Sequence, residues 1–188
     1  MPQATLKSGS LPLSPVQRSS LYQRFAALFR VPDCGSEAMQ AYMEAFDPAV
    51  YQQASALYES AYTSKTQDLI YEELTRFYDF FGLQRAADAE LPDHLSVELD
   101  FMHYLTYLEQ QCLVRNENPS DIRRAQRDFL SHHLWPLCDG LYQGFHSRDE
   151  QAREQIANLF DFVAQELQQL NTSPAQLSAS FLTHTALS

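Results

Sequence analysis

Leu91–Leu105 reads LPDHLSVELDFMHYL, and its pattern settles the fold class. Pro92 and Asp93 open it in the manner of a helix start. From there Leu95, Leu99, Met102, Leu105, Leu108 and Cys112 recur every three or four residues. That is the period of an α-helix with a broad buried face, and it predicts a helix over 93–115. The stretch lies inside a 29-residue run, Ala86–Val114, with six acids and no Lys or Arg. An acidic helix entry flanked by aromatic side chains suits capture of something basic and apolar. It does not suit a reaction.

Working outward, helix starts recur along the chain. Ser14-Pro15-Val16-Gln17 combines an N-cap, proline at the first helical position and a capping-box glutamine. Asp47-Pro48 and Asn118-Pro119 carry related signals, and Ser64 with Gln67 and Ser147 with Glu150 form two further capping boxes. These predict helices near 15–30, 36–46, 48–62, 65–81, 119–139 and 147–170, with a short one after Pro174. Leu21, Phe25, Leu28 and Phe29 make the stripe of the first, flanked by Tyr22. Ile70, Leu74, Phe77 and Phe81 make that of the fourth, widened by Tyr71, Tyr78 and Phe80. Stripes this wide predict helices packed on several sides. With five glycines and no sustained apolar–polar alternation, the expectation is an all-α, single-domain multi-helix bundle. Residues 1–13 are expected to form a disordered arm, 14–170 the helical domain, and 171–188 a short helix or tail. Residues 82–92 have the composition of a connecting loop.

The net charge of −11 argues against nucleic acid or an anionic membrane as the main partner and favours a cationic one. No segment has the uninterrupted apolar length of a spanning helix, and the first twenty residues lack a signal-peptide core. The expectation is a cytoplasmic protein without stable membrane insertion. Cys34, Cys112 and Cys138 are widely spaced and odd in number, which reads as buried free thiols.

Each polar constellation has a plain reading beside its functional one. His94 and Glu98 share a helix face, but a third metal ligand is missing. Asp93 is a helix N-cap by type and position, and an exposed capping loop also presents it to a ligand. The helix dipole disfavours an imidazolium at His94, whereas the nearby carboxylates favour it. For His132-His133 the plain reading is one ring packed near Trp135 and one exposed; the other is a polar lip on an apolar groove. Pro136 should bend or end its helix. Gly140 and Gly144 read as a helix end, and Arg123-Arg124 as a solvated basic face. No phosphate-cradling glycine loop, serine elbow or catalytic cysteine signature is present, so neither an enzyme nor a bound cofactor is predicted.

Leu91-Pro92-Asp93-His94-Leu95, followed by Glu98-Leu99 and Phe101-Met102, resembles the central motif of the TorD/DmsD/NarJ-like redox-enzyme maturation chaperones. Arg18–Phe29 is similar to that family's opening helix, and Phe129-Leu130 through His133-Leu134-Trp135 to a late segment. The resemblance runs over about residues 15–165. The segment Phe77–Gly82 matches only loosely, and a P-A-P-P type loop is absent. The form is therefore nearer to chaperones of nitrate, selenate, chlorate, dimethylsulfide or hydrocarbon-oxidising molybdoenzymes. The resemblance implies an all-helical cytoplasmic chaperone that holds the apo catalytic subunit of a molybdenum oxidoreductase, often by its twin-arginine leader, until the cofactor is inserted.

The residue chemistry is compatible with that role. Carboxylates at Asp93 and Glu98 suit guanidinium groups. Phe77, Phe81, Leu95, Phe101, Met102 and Trp135 offer apolar surface for the rest of a leader, although core packing is the plainer reading of Phe77, Leu95 and Met102. Pro92, His94 and His133 complete the expected client-binding set. Monomer and helix-exchanged dimer both fit such a bundle. The alternative is a non-catalytic helical scaffold whose acidic face serves a stable partner.

Overall fold

The computed structural model describes residues 12–172, apart from 34, 85, 87 and 88. Most of the expected arm 1–13, nearly all of 171–188, the helix after Pro174 and Cys34 lie outside the described residues. Seven α-helices follow in order: α1 (Pro15–Leu28), α2 (Glu37–Phe46), α3 (Gln67–Phe80), α4 (Leu95–Val114), α5 (Ser120–Phe129), α6 (Trp135–Gly144) and α7 (Glu150–Asn171). No strand occurs among the described residues, and no helix there is long and apolar enough to cross a membrane.

The centre of the bundle is α4, paired most extensively with α1 and packed also on α5. Leu95, Leu99, Met102 and Leu105 are fully buried, as the spacing predicted. The α1 stripe is different from the expected one. Arg18, Tyr22, Ala26 and Phe29 form its inner face, Leu21 and Phe25 are half-buried, and Leu28 is exposed. The inner line includes an arginine because Glu109 of α4 and Glu166 of α7 wait for it inside.

Several helix starts differ from their sequence signals. Ser14 and Gln17 form the predicted capping box. Ser36 caps α2; Thr66, not Ser64, precedes α3, and Asp149, not Ser147, caps α7. At α4 the N-cap is His94 rather than Asp93: its Nδ1 accepts from the Ser96 backbone N–H at 3.2 Å.

The predicted helix over 48–62 is absent. Turns at 47–54 lead into a buried extended stretch, where Leu57 accepts from Leu95 N–H at 2.8 Å and Glu59 N–H donates to the Asp93 carbonyl at 2.9 Å. An antiparallel bridge between Tyr58 and His94 lies between them, and the one-turn 3-10 helix Glu59–Ala61 follows. Tertiary pairing with the start of α4, plus burial of Leu57, outweighs local helix propensity.

From α5 to α6 the backbone stays right-handed helical through a π turn, Leu130–Leu134. The widened turn precedes Pro136, whose ring would crowd a regular helix, so the chain runs on to Gly144 instead of ending near 139. Gly140 is not a helix end: a Cβ there would lie 2.5 Å from Tyr62 Cβ. It is a close-approach glycine, and Gly144 alone closes the helix. Cys138 is buried, whereas Cys112 is only half-buried.

Candidate functional site

The start of α4 is buried to a degree its composition did not announce. Pro92, Asp93, His94, Leu95 and Glu98 are all buried, Asp93 and Glu98 completely. Asp93 and Glu98 therefore do not face solvent, and the exposed capping loop expected for Asp93 is not formed. The segment 57–60 covers it, and Ser60 N–H reaches Asp93 Oδ2 at 3.3 Å.

A third carboxyl joins them. Glu59 is fully buried and accepts from His133 Nδ1 at 3.0 Å. No described residue offers a hydrogen bond to Glu59 Oε1, Asp93 Oδ1 or either oxygen of Glu98. Burial pushes the Glu98 carboxyl well above the usual carboxylate range, and the charges of Glu59 and Asp93 add to the effect. Burial likewise lowers the His94 imidazole, opposed by Glu90 and Asp93. The lowered value and the accepting Nδ1 agree on a neutral ring. Among the described residues no group of His, Cys, Asp and Glu has the geometry to hold a metal ion.

Around this buried chamber two clefts open, separated by the C-terminal half of α3. The first, about 530 Å³, lies between α3, the following loop and the start of α4; Tyr78, Leu83, Pro92, Val97, Phe101 and Tyr104 line its apolar part. Asp79, Glu90 and Asp100 also line it. Asp100 is engaged by Arg30, and Glu90 accepts from Tyr58. The second, about 670 Å³, lies between α3, α5 and the π turn, where Phe77, Phe80, Phe81, Ala125 and His133 form its apolar part. Charges of both signs surround it, Lys65, Arg76 and Arg124 beside Glu73, Asp121 and Asp128.

One aromatic wall serves both clefts. Phe101 lies 4.9 Å from Tyr78, 5.7 Å from Phe81 and 4.7 Å from Phe129, ring centre to ring centre. The Tyr78 hydroxyl donates to the Pro92 carbonyl at 2.9 Å. Phe80, expected to widen the core stripe, is 83% exposed at the mouth of the second cleft.

The predicted residues therefore divide. Pro92 and Phe101 line the first cleft, and Phe81 and His133 the second. Asp93, His94 and Glu98 lie in the chamber, while Leu95 and Met102 are core. Trp135 stands apart, half-buried on the α6–α7 face against Phe160 at 5.3 Å. His133 is buried against Phe77 and Phe129 rather than near Trp135, and His132 is exposed. His133 and Trp135, two residues apart on the helix, point to nearly opposite sides, which separates their rings. Glu59 was missed because it fell inside the helix expected over 48–62.

A family model for the nitrate reductase delta subunit matches residues 13–143. The chain is 33% identical over 140 residues to the selenate reductase assembly chaperone protein of Thauera selenatis, covering 64% of this chain and 72% of that one. It is 31% identical over 140 residues to the chlorate reductase assembly chaperone protein of Ideonella dechloratans, with the same coverage. To the perchlorate reductase assembly chaperone protein of Dechloromonas aromatica it is 38% identical over 104 residues, which is 54% of this chain and 46% of that one.

Proposed function

The chain belongs to the nitrate reductase delta subunit family, and from that premise we propose that it is a system-specific assembly chaperone for a molybdenum oxidoreductase. Its client is the apo catalytic subunit, held through a leader peptide until the cofactor is in place. The chaperone contributes binding and no catalytic step, and it works on the cytoplasmic side before export.

The observation that carries this reading is the pair of clefts on either side of α3. A twin-arginine leader presents guanidinium groups beside an apolar, helix-forming segment. The first cleft supplies Asp79, Glu90 and Asp100 around an aromatic interior, a chemistry suited to charge-assisted bonds from guanidinium. The second supplies Phe77, Phe81 and the exposed Phe80, which suit the apolar face of a helix. Asp93, His94 and Glu98 support the site from beneath. With both oxygens of Glu98 shielded, the arginines meet the carboxylates at the mouth instead.

Affinity capture of the tagged chain from its native host under anaerobic growth, followed by mass spectrometry, tests the proposal. The expected result is one molybdoenzyme catalytic subunit that still carries its leader. Recovery of an unrelated constant partner, with no molybdoenzyme across respiratory conditions, would overturn it in favour of a scaffold.

A further inference from the structure

The second cleft and the start of α4 meet at one side chain. Glu59 sits on the 3-10 turn with its backbone N–H on the Asp93 carbonyl, while Ser60 N–H bonds Asp93 Oδ2. Its own Oε2 accepts from His133 Nδ1. On the far side, the His133 ring stands edge-on to Phe77, 5.6 Å away at 85°, and lies 5.3 Å from Phe129. Phe77 and His133 both line the cleft. Glu59 thus fixes the imidazole that underlies the aromatic floor, and it does so from the segment that clamps the helix start.

As a stabilising device this arrangement is poor. Glu59 brings a carboxyl beside those of Asp93 and Glu98, leaves Oε1 without a described partner, and is completely shielded from water. Like charges repel strongly where water cannot screen them, and a buried ion pair is seldom better than apolar groups of equal volume. Groups that are unfavourable for folding are retained where orientation matters for function. A hydrogen-bonded imidazole cannot turn about its ring axis, so the cleft floor keeps one shape.

We propose that Glu59 is a positioning residue for client recognition, acting through His133 to hold the floor of the aromatic cleft. The proposal rests on the reading that this cleft takes the apolar part of a leader. The sequence motif does not include Glu59.

The probe is a synthetic peptide copying the leader of the captured catalytic subunit, adjacent arginines followed by its apolar segment. Glu59→Met removes acceptor and charge at nearly constant volume, and Glu59→Gln keeps an acceptor for His133. Peptide affinity should fall about tenfold in Glu59→Met and no more than about threefold in Glu59→Gln. His133→Leu should lose as much as Glu59→Met, and the double variant no more than either. The urea midpoint of Glu59→Met should equal or exceed that of the wild type, a divergence between stability and binding that a purely structural role does not give.

Unchanged affinity in Glu59→Met, or losses that multiply in the double variant, would overturn the role of Glu59 alone. Failure of the wild-type chain to bind the peptide would overturn the client reading and this inference with it. Should Glu59→Met not fold, Glu59→Asp carries the test, since it keeps the charge but stops a methylene short of His133. At least about a threefold loss then upholds the proposal, and full affinity ends it.

Discussion

Two clusters of charged side chains are buried in this bundle, and they follow opposite rules. Around Arg18 each charge is met. Its Nε donates to both oxygens of Glu166, Nη1 to Glu109 at 2.7 Å and Nη2 to Gln126 at 2.6 Å. Tyr22 adds a bond to Glu166, and Arg123 one to Glu109. Four helices, α1, α4, α5 and α7, are joined through one guanidinium. Around Glu98, in the first turn of α4, three carboxyls lie together, Glu59 alone among them bonds an imidazole, and four oxygens lack a described partner. The first arrangement locks the bundle. The second lies beneath the clefts that are proposed to take the client. Complete pairing marks structure here, and incomplete pairing lies under the proposed site.

The comparison breaks most directly at Arg18. Arg18→Met leaves Glu109 and Glu166 buried without their cation, at a cost of about 3–5 kcal/mol. Urea unfolding should show the loss as a lower midpoint with an unchanged slope. A change within about 1 kcal/mol would mean that water or neighbouring groups replace the arginine, and the lock would be no lock.

Gly140→Ala comes next and sharpens the other half. The added Cβ would meet Tyr62 Cβ at 2.5 Å, too close to the backbone for a rotamer change to relieve. Tyr62 directly follows the 3-10 turn that carries Glu59, so the strain is delivered to the chamber without touching a charge. We expect a loss of about 1–3 kcal/mol, together with weaker peptide binding. Equal stability would show that the turn yields freely.

These two sites also show what the sequence made legible. Helix periodicity found α3 and α4, because an amphipathic stripe is a local property, and start signals marked α1 and α7. The Ser14–Gln17 box was readable for the same reason. Arg18 was hidden, since nothing local distinguishes an arginine met by partners 91 and 148 residues away from a solvated one. Glu59 was hidden twice, by its charge and by a segment whose shape comes from pairing with Asp93 and Leu95. The motif around Asp93–Glu98 gave no sign of its depth. Acid side chains read as a surface, and here they face inward. The split of the expected groove into two clefts follows from α3 passing between them, which no spacing within α3 reveals.

Acidity should separate Glu109 from Glu98 as well, while burial raises the carboxyl of Glu166, the other partner of Arg18. Burial works against the charge of Glu109, but Arg18, Gln126 and Arg123 outweigh it and hold its carboxyl below the usual range. Such a group contributes stability above the ordinary carboxylate range and loses it as the pH falls through its lowered value. Glu98 has the reverse sign. Its raised carboxyl contributes stability that is complete below pH 4.5, its ordinary value, and is lost as the pH climbs through the raised one. Glu98→Gln should therefore remove a decline in stability toward alkaline pH and keep the acid-side loss. At pH 8 it should match or exceed the wild type by up to about 1 kcal/mol. A variant that is less stable at every pH would show that Glu98 is paired after all.

The smallest effect on folding is expected at Phe80, and its value lies in the mismatch with binding. The ring is 83% exposed and touches Phe81 at the cleft mouth, 5.1 Å between centres. Because it buries so little, Phe80→Ser should move stability by no more than about 0.5 kcal/mol. Leader affinity should nevertheless fall, by about tenfold if the ring is covered in the complex. Calorimetry of wild type and variant with the same peptide reads both the affinity and the heat-capacity change. The latter should be less negative in the variant, because less apolar surface leaves water. Equal affinity and equal heat capacity would place the apolar segment elsewhere, and the first cleft, with its carboxylates and its own aromatic lining, would then have to hold the whole leader.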